Sequence, residues 1–120
     1  MIRKHTISFK HAFDGLVIAF STQPNYRIHL FLSLISILGG IYFKISYFEY
    51  LIIGVLITIG LVIETINTAI EETCDAIDEA IRPDIKVAKD TSAAAMLIFA
   101  IGSSVLAACI FIPRIISLFS

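Results

Sequence analysis

Charge is what this chain has least of: 16% of its 120 residues are charged against 58% apolar, and the mean hydropathy is +0.90. A soluble domain of this size carries more polar surface, so water is not the main solvent here. The net charge is -1 and Lys and Arg form no stripe, which excludes nucleic acid as a partner, because phosphate contacts need clustered cations. No G-x-x-x-x-G-K-[ST] loop and no G-x-G-x-x-G occurs, so a soluble nucleotide-binding fold is excluded as well. Behind Arg3 and Lys4, the residues His5, His11 and Asp14 interrupt any apolar run, and no cleavable signal is expected. Cysteine is equally sparse, and Cys74 and Cys109 fall toward opposite membrane faces, which leaves them as free thiols.

What is present is a set of apolar runs of membrane-crossing length. Phe9, Phe13, Leu16, Val17 and Phe20 recur at helical spacing, with Lys10, Asp14 and Ser21 off the stripe. The segment at about 5–22 therefore reads as an amphipathic surface helix in the headgroup layer, with packing against other helices as the alternative. Gln23, Pro24 and Asn25 end it. Three spans follow at about 28–46, 48–69 and 91–112, each near the ~20 residues that a bilayer requires. Tyr42, Tyr47 and Tyr50 lie at the depth of an aromatic belt. The second span continues as a polar helix toward Ile81, closed by Pro83, and Pro113 stops the third. Ala93, Ala94, Ala95, Ala100, Gly102, Ser103, Ser104, Ala107 and Ala108 give the third span a face that other helices can approach closely. The fold class is all-α membrane protein, and the whole chain, 1–120, is one domain.

Orientation follows from the cations. Arg3, Lys4, Lys10 and Arg27 precede the first span, and Arg82, Lys86 and Lys89 lie between the second and third. Only Lys44 and Arg114 fall on the other side. The positive-inside rule places the N-terminus and the loop after the second span in the cytoplasm, and the C-terminus outside, in a multi-pass protein of the cell's inner (plasma) membrane.

Eight of the ten acids lie between Glu64 and Asp90. At 100° per residue, Glu64, Thr68, Glu71, Asp75 and Asp78 share one narrow stripe, with Asn67 beside it. Glu72, Asp75, Asp78 and Glu79, being far along a cytoplasmic extension, read first as a solvated face. Glu64 does not, because the helix is apolar from Leu51 to Ile63 and an ionisable group at that depth costs about 2.5 to 3.5 kcal/mol to insert. Withdrawn from water, a carboxylate becomes a better base for a hydroxyl buried in lipid. Glu71, roughly 10 Å along the axis, offers the hard oxygen that Mg²⁺ carried by ATP prefers. Lys89 could neutralise phosphate charge, or simply anchor the chain at the cytoplasmic face. His29 reads as an interfacial side chain, since no second His or Cys stands at ligand spacing. A different class also fits the stripe: an oligomeric proton or cation conduit lined by Glu64, Asn67 and Glu71.

The run Glu64-Thr-Ile-Asn67-Thr-Ala-Ile-Glu71-Glu-Thr-Cys-Asp75, with Ala88-Lys89-Asp90 downstream and Asn25-Tyr26-Arg27-Ile28-His29 before the first span, resembles the prokaryotic diacylglycerol kinase and undecaprenol kinase family over nearly the whole chain. The resemblance implies a homotrimer and Mg²⁺-dependent transfer of the ATP γ-phosphate to a membrane lipid alcohol, undecaprenol or diacylglycerol, at the cytoplasmic interface. It makes Glu64 the general base and Glu71 a metal ligand, and it puts Asn67, Lys89 and Asp90 in the ATP site. Gln23 stands where many members place a second metal-binding Glu, so its neutral amide oxygen is the expected second ligand. His11 falls where the surface helix is expected to touch the nucleotide. Ala80, Ile81 and Arg82 depart from the family pattern, which leaves the adenine contacts open. The Asn-Tyr-Arg-Ile-His segment leans toward undecaprenol.

Overall fold

A computed structural model describes the backbone of residues 2–120 and the side chains from Ser8 onward. The side chains of Arg3, Lys4 and His5, used above, lie outside the described residues. Four helices occupy almost all of the described chain: α1 (Ile2–Thr22), α2 (Pro24–Phe43), α3 (Tyr47–Ile77) and α4 (Pro83–Ser117). The last three are long and apolar enough to cross a membrane. The chain is an all-α membrane protein with three candidate spans, and the described residues include no strand.

A single residue, Gln23, separates α1 from α2. Its extended backbone (φ -107°, ψ 107°) breaks the helix, and Pro24 takes the first position of α2, where a missing N–H costs nothing. Arg27 then reaches back, donating to the carbonyls of Phe20 (3.0 Å) and Ser21 (2.8 Å) that α1 leaves open at its C-terminus. The charge read from sequence as a topology signal thus also holds the corner between α1 and α2. Only Ala19 of this part of α1 is buried, at 2% exposure, while Phe9, Phe13, Leu16, Val17 and Phe20 all stay exposed. The apolar stripe of α1 faces away from its own subunit, as a helix lying against lipid requires.

At the opposite end, Lys44 adopts a left-handed conformation (φ 52°), and its N–H returns to the carbonyls of Gly40 and Ile41. Ser46 and Glu49 form a reciprocal capping box that starts α3.

Two helix ends differ from the sequence reading. The second span's helix does not run to Ile81: it stops at Ile77, where Asp78 turns extended and its carboxylate accepts a hydrogen bond from the Ala80 N–H (2.9 Å). A short polar side chain that bonds its neighbouring backbone competes with the helix ladder, and here it wins. Pro83 therefore opens α4 instead of closing α3. Nor does Pro113 end α4, which continues to Ser117. Proline removes one ladder donor, but Arg114, next to it, donates to the Ile110 carbonyl (2.7 Å) and makes two bonds of 2.7 Å to Glu49. Those ties hold the turns beyond the proline in helical form, a compensation that membrane helices often use.

The two longest helices, α3 and α4, run antiparallel and are cross-linked at intervals: Glu49 to Arg114 near one end, Asn67 to Ser92 further along, and Asp75 to Lys89 near the other. Between these levels, His29 of α2 and Phe99 of α4, with ring centroids 5.7 Å apart, press on Gly60 of α3. His29 is part-buried inside the bundle, with Nε2 3.3 Å from the Ile57 carbonyl, rather than at the membrane surface as its position in sequence suggested. A Cβ on Gly60 would stand 2.0 Å from His29 Cε1 and 2.7 Å from Phe99 Cε1. We expect Gly60→Ala to expel the imidazole and destabilise the subunit by about 1 to 3 kcal/mol, read as a lower thermal unfolding midpoint in detergent. Gly54→Ala, where no atom lies within 4 Å of the added methyl, should leave that midpoint unchanged.

Candidate active site

The site is organised by α3. From Leu51 to Ile63 it is apolar apart from Thr58 and exposed on most sides, and the polar stripe begins at Glu64, which is 1% exposed and the most deeply buried large side chain described. Neither carboxylate oxygen of Glu64 has a hydrogen-bond partner. Buried carboxylates are normally paired, so an orphan one is either costly or kept for a ligand. Asn67 (8% exposed) and Thr68 (6%) follow along α3, and Thr68 turns its hydroxyl to the Glu64 carbonyl at 2.9 Å.

Glu64 borders a groove of about 420 Å³ between α2, α3 and α4. Asn25 and Met96 flank it near Glu64, and it continues past His29 and Ile57 to Ile53 and Phe111. From Glu64 to Ile53 the groove follows α3 for about 16 Å at 1.5 Å per residue. Its walls are mainly aliphatic and aromatic, so it offers a carbon-lined slot with one carboxylate at its head. Asn67 borders a different groove between α3 and α4, with Ile63, Ile66, Ala88 and Ser92. The two residues therefore open onto two faces of α3, and a reaction that uses both must meet at its edge.

One turn beyond Asn67, Glu71 is partly buried and makes no hydrogen bond or ion pair with the described residues. In sequence along α3 it stands between the buried Glu64 and Asp75, the partner of Lys89. Lys89 stands before the apolar stretch of α4 begins and bonds Asp75 at 2.5 Å. That hydrogen bond raises the Lys89 ammonium above its ordinary pKa, and the Asp75 and Glu71 charges add to it, so the side chain is a full cation at neutral pH.

Other candidates from sequence are placed differently. Asp90 turns to Lys86 on its own helix (2.5 Å) rather than toward the α3 stripe. Gln23 is half-buried at the break between α1 and α2, and its amide does not cap α2. His11 is exposed on α1. The described residues contain no group of three His, Cys, Asp or Glu side chains that could hold a metal by themselves. That is compatible with Mg²⁺, which is usually bound through one or two carboxylates and the phosphates of its substrate. Glu71, with an unbonded carboxylate, suits that role, and Cys74 and Cys109 are free thiols.

The sequence reading missed Ser92, whose hydroxyl bonds Asn67 Oδ1 at 2.6 Å in a buried position, and it treated Asp75 as merely solvated. Neither could be found from one helix alone, because each partner lies on the other helix, 25 and 14 residues away.

Comparison with known proteins identifies the family. The pattern of the prokaryotic diacylglycerol kinase family matches residues 10–111. A protein of Bacillus subtilis named undecaprenol kinase is 34% identical over 108 residues, 90% of this chain and 88% of its own length. A protein of Synechocystis sp. named diacylglycerol kinase is 29% identical over 113 residues, and there the chain spans 65% of the relative's length and 93% of its own. The matched region holds the buried glutamate, the α3 stripe and Lys89, and the chain belongs to the prokaryotic diacylglycerol kinase family, a family of membrane lipid kinases.

Proposed function

We propose that this protein transfers the γ-phosphate of ATP to the hydroxyl of a membrane lipid, with Glu64 as the general base. The observation that carries the proposal is the Glu64 carboxylate, sealed from water with both oxygens unpartnered at the head of a carbon-lined groove. A lipid alcohol whose chain lies in that groove brings its hydroxyl to the carboxylate. Glu64 accepts the hydroxyl proton as the oxygen forms its bond to the γ-phosphorus; the bond from that phosphorus to the β-bridging oxygen breaks, and ADP leaves. Lys89 exchanges Asp75 for the transferring phosphoryl group and offsets its charge, and Asn67 supplies amide donors to the same region. Glu71 and Gln23 would hold Mg²⁺, which neutralises phosphate charge when bound. His11 and Asp90 are assigned to the outer nucleotide site.

Undecaprenol is the favoured substrate. The Bacillus subtilis relative so named shares more identity and a larger share of its own length than the Synechocystis protein does. The cytoplasmic placement of the site rests on the seven cations on that side of the spans. Self-association into a trimer is supported by small residues of α4: Ala93, Ala94 and Gly102 are exposed on the subunit and allow a helix of another copy to approach closely.

Labelled Mg-ATP offered with undecaprenol or diacylglycerol in mixed micelles tests the proposal directly. Wild-type protein should phosphorylate undecaprenol faster, and Glu64→Gln should lose about 10² to 10⁴-fold in kcat with assembly intact. Phosphate transfer to neither lipid, together with ion flux into proteoliposomes that needs no ATP, would replace the kinase by the conduit. In a magnesium titration, Gln23→Glu should lower the Mg²⁺ concentration for half-maximal rate several-fold, because a carboxylate binds a hard cation more tightly than an amide. An unchanged requirement would remove Gln23 from the metal site.

A further inference from the structure

Hydroxyl side chains inside membrane helices usually return their proton to the carbonyl one turn back. This chain follows that habit at Ser33, Ser36, Thr58, Thr65, Thr68, Thr73 and Thr91. Ser92 departs from it. Its hydroxyl crosses from α4 to α3 and donates to Asn67 Oδ1 at 2.6 Å, with both residues 8% exposed.

The direction of this bond decides which end of the Asn67 amide is free. Asparagine presents an acceptor and two donors at nearly equivalent positions, so an amide free to rotate about its last torsion would offer either end. With Oδ1 held by a hydroxyl donor, the NH₂ end is left over. Nδ2 bonds nothing else among the described side chains and is not sealed from the groove between α3 and α4. Lys89 lies three residues before Ser92 on α4, so the freed N–H donors and the ammonium lie along one seam. Both are complementary to an anion, whereas an amide oxygen there would repel one.

We infer that Ser92 is a positioning residue: it fixes the Asn67 amide with its N–H donors toward the phosphates of ATP and its oxygen turned away. This rests on the proposed nucleotide role of Asn67 and deepens it. Ser92 itself touches no reacting atom; it acts through Asn67.

The test compares Ser92→Ala, Ser92→Thr, Asn67→Ala and the double variant Ser92→Ala/Asn67→Ala, with Ser92→Cys as a near-isosteric second removal of the strong donor should the alanine variant fail to fold. Ser92→Ala should raise KM for Mg-ATP about tenfold, the worth of one such bond, with KM for the lipid unchanged. Ser92→Thr, which keeps the hydroxyl, should restore most of the affinity. Binding of a non-hydrolysable Mg-ATP analogue, measured calorimetrically, extends the comparison to variants without activity. There the double variant should bind no more weakly than Asn67→Ala. Unchanged ATP affinity in Ser92→Ala and Ser92→Cys overturns the inference, as does an equal rise in both KM values or a penalty that persists in the Asn67→Ala background. If Asn67→Ala itself binds and transfers normally, it is the nucleotide role of Asn67 that fails, and the inference fails with it.

Discussion

The antiparallel contact between α3 and α4 is the constraint on which the site depends. In lipid, apolar surface gives helices little reason to prefer one neighbour or register over another, because the acyl chains are as apolar as leucine. Specific polar links and close approaches at small residues must supply that preference. Here Glu49 to Arg114, Asn67 to Ser92 and Asp75 to Lys89 are spaced along one pair of helices, with Phe99 seated on Gly60 between them. A slide by one helical turn, about 5.4 Å, would break every one of these links. The register they fix is the one in which α4 covers part of the α3 stripe.

Glu64 is a consequence of that register. Its carboxylate is closed over by α2 and α4 and left without a partner, which costs stability. The remaining links offset the cost, and none of them reaches into the base. The division is physically sensible: residues that hold the helices together are bonded to each other, while Glu64 and Glu71 are not, as their proposed roles as base and metal ligand require. Lys89 stands between the two groups. Its bond to Asp75 holds the cation beside the α3 stripe, and in the proposed reaction the phosphoryl group competes with Asp75 for it.

Both mid-chain departures from the expected helix limits serve the same geometry. Asp78 ends α3 early through a bond to its own backbone, and Pro83 then starts α4, so the connection is short and returns α4 directly along α3. Pro113, which alone would end a helix, is carried through by the Arg114 ties to Glu49 and the Ile110 carbonyl. In each case a side chain within a few residues of the proline decides whether it stops, starts or merely interrupts a helix.

The number and class of the helices were legible in the sequence because hydropathy and helical period are local properties. The polar stripe from Glu64 to Asp75 was legible for the same reason, since a helix puts residues three and four apart on one face whatever lies around it. The depth of Glu64 also followed from counting apolar residues before it. Tertiary structure alone decided that Glu64 has no partner among the described residues, that His29 packs inside the bundle, that Asp75 holds Lys89 and that Ser92 bonds Asn67. Those facts depend on the register between helices 14 to 28 residues apart in sequence. No periodicity within one helix encodes that register, because it is set by which side chains meet across the gap.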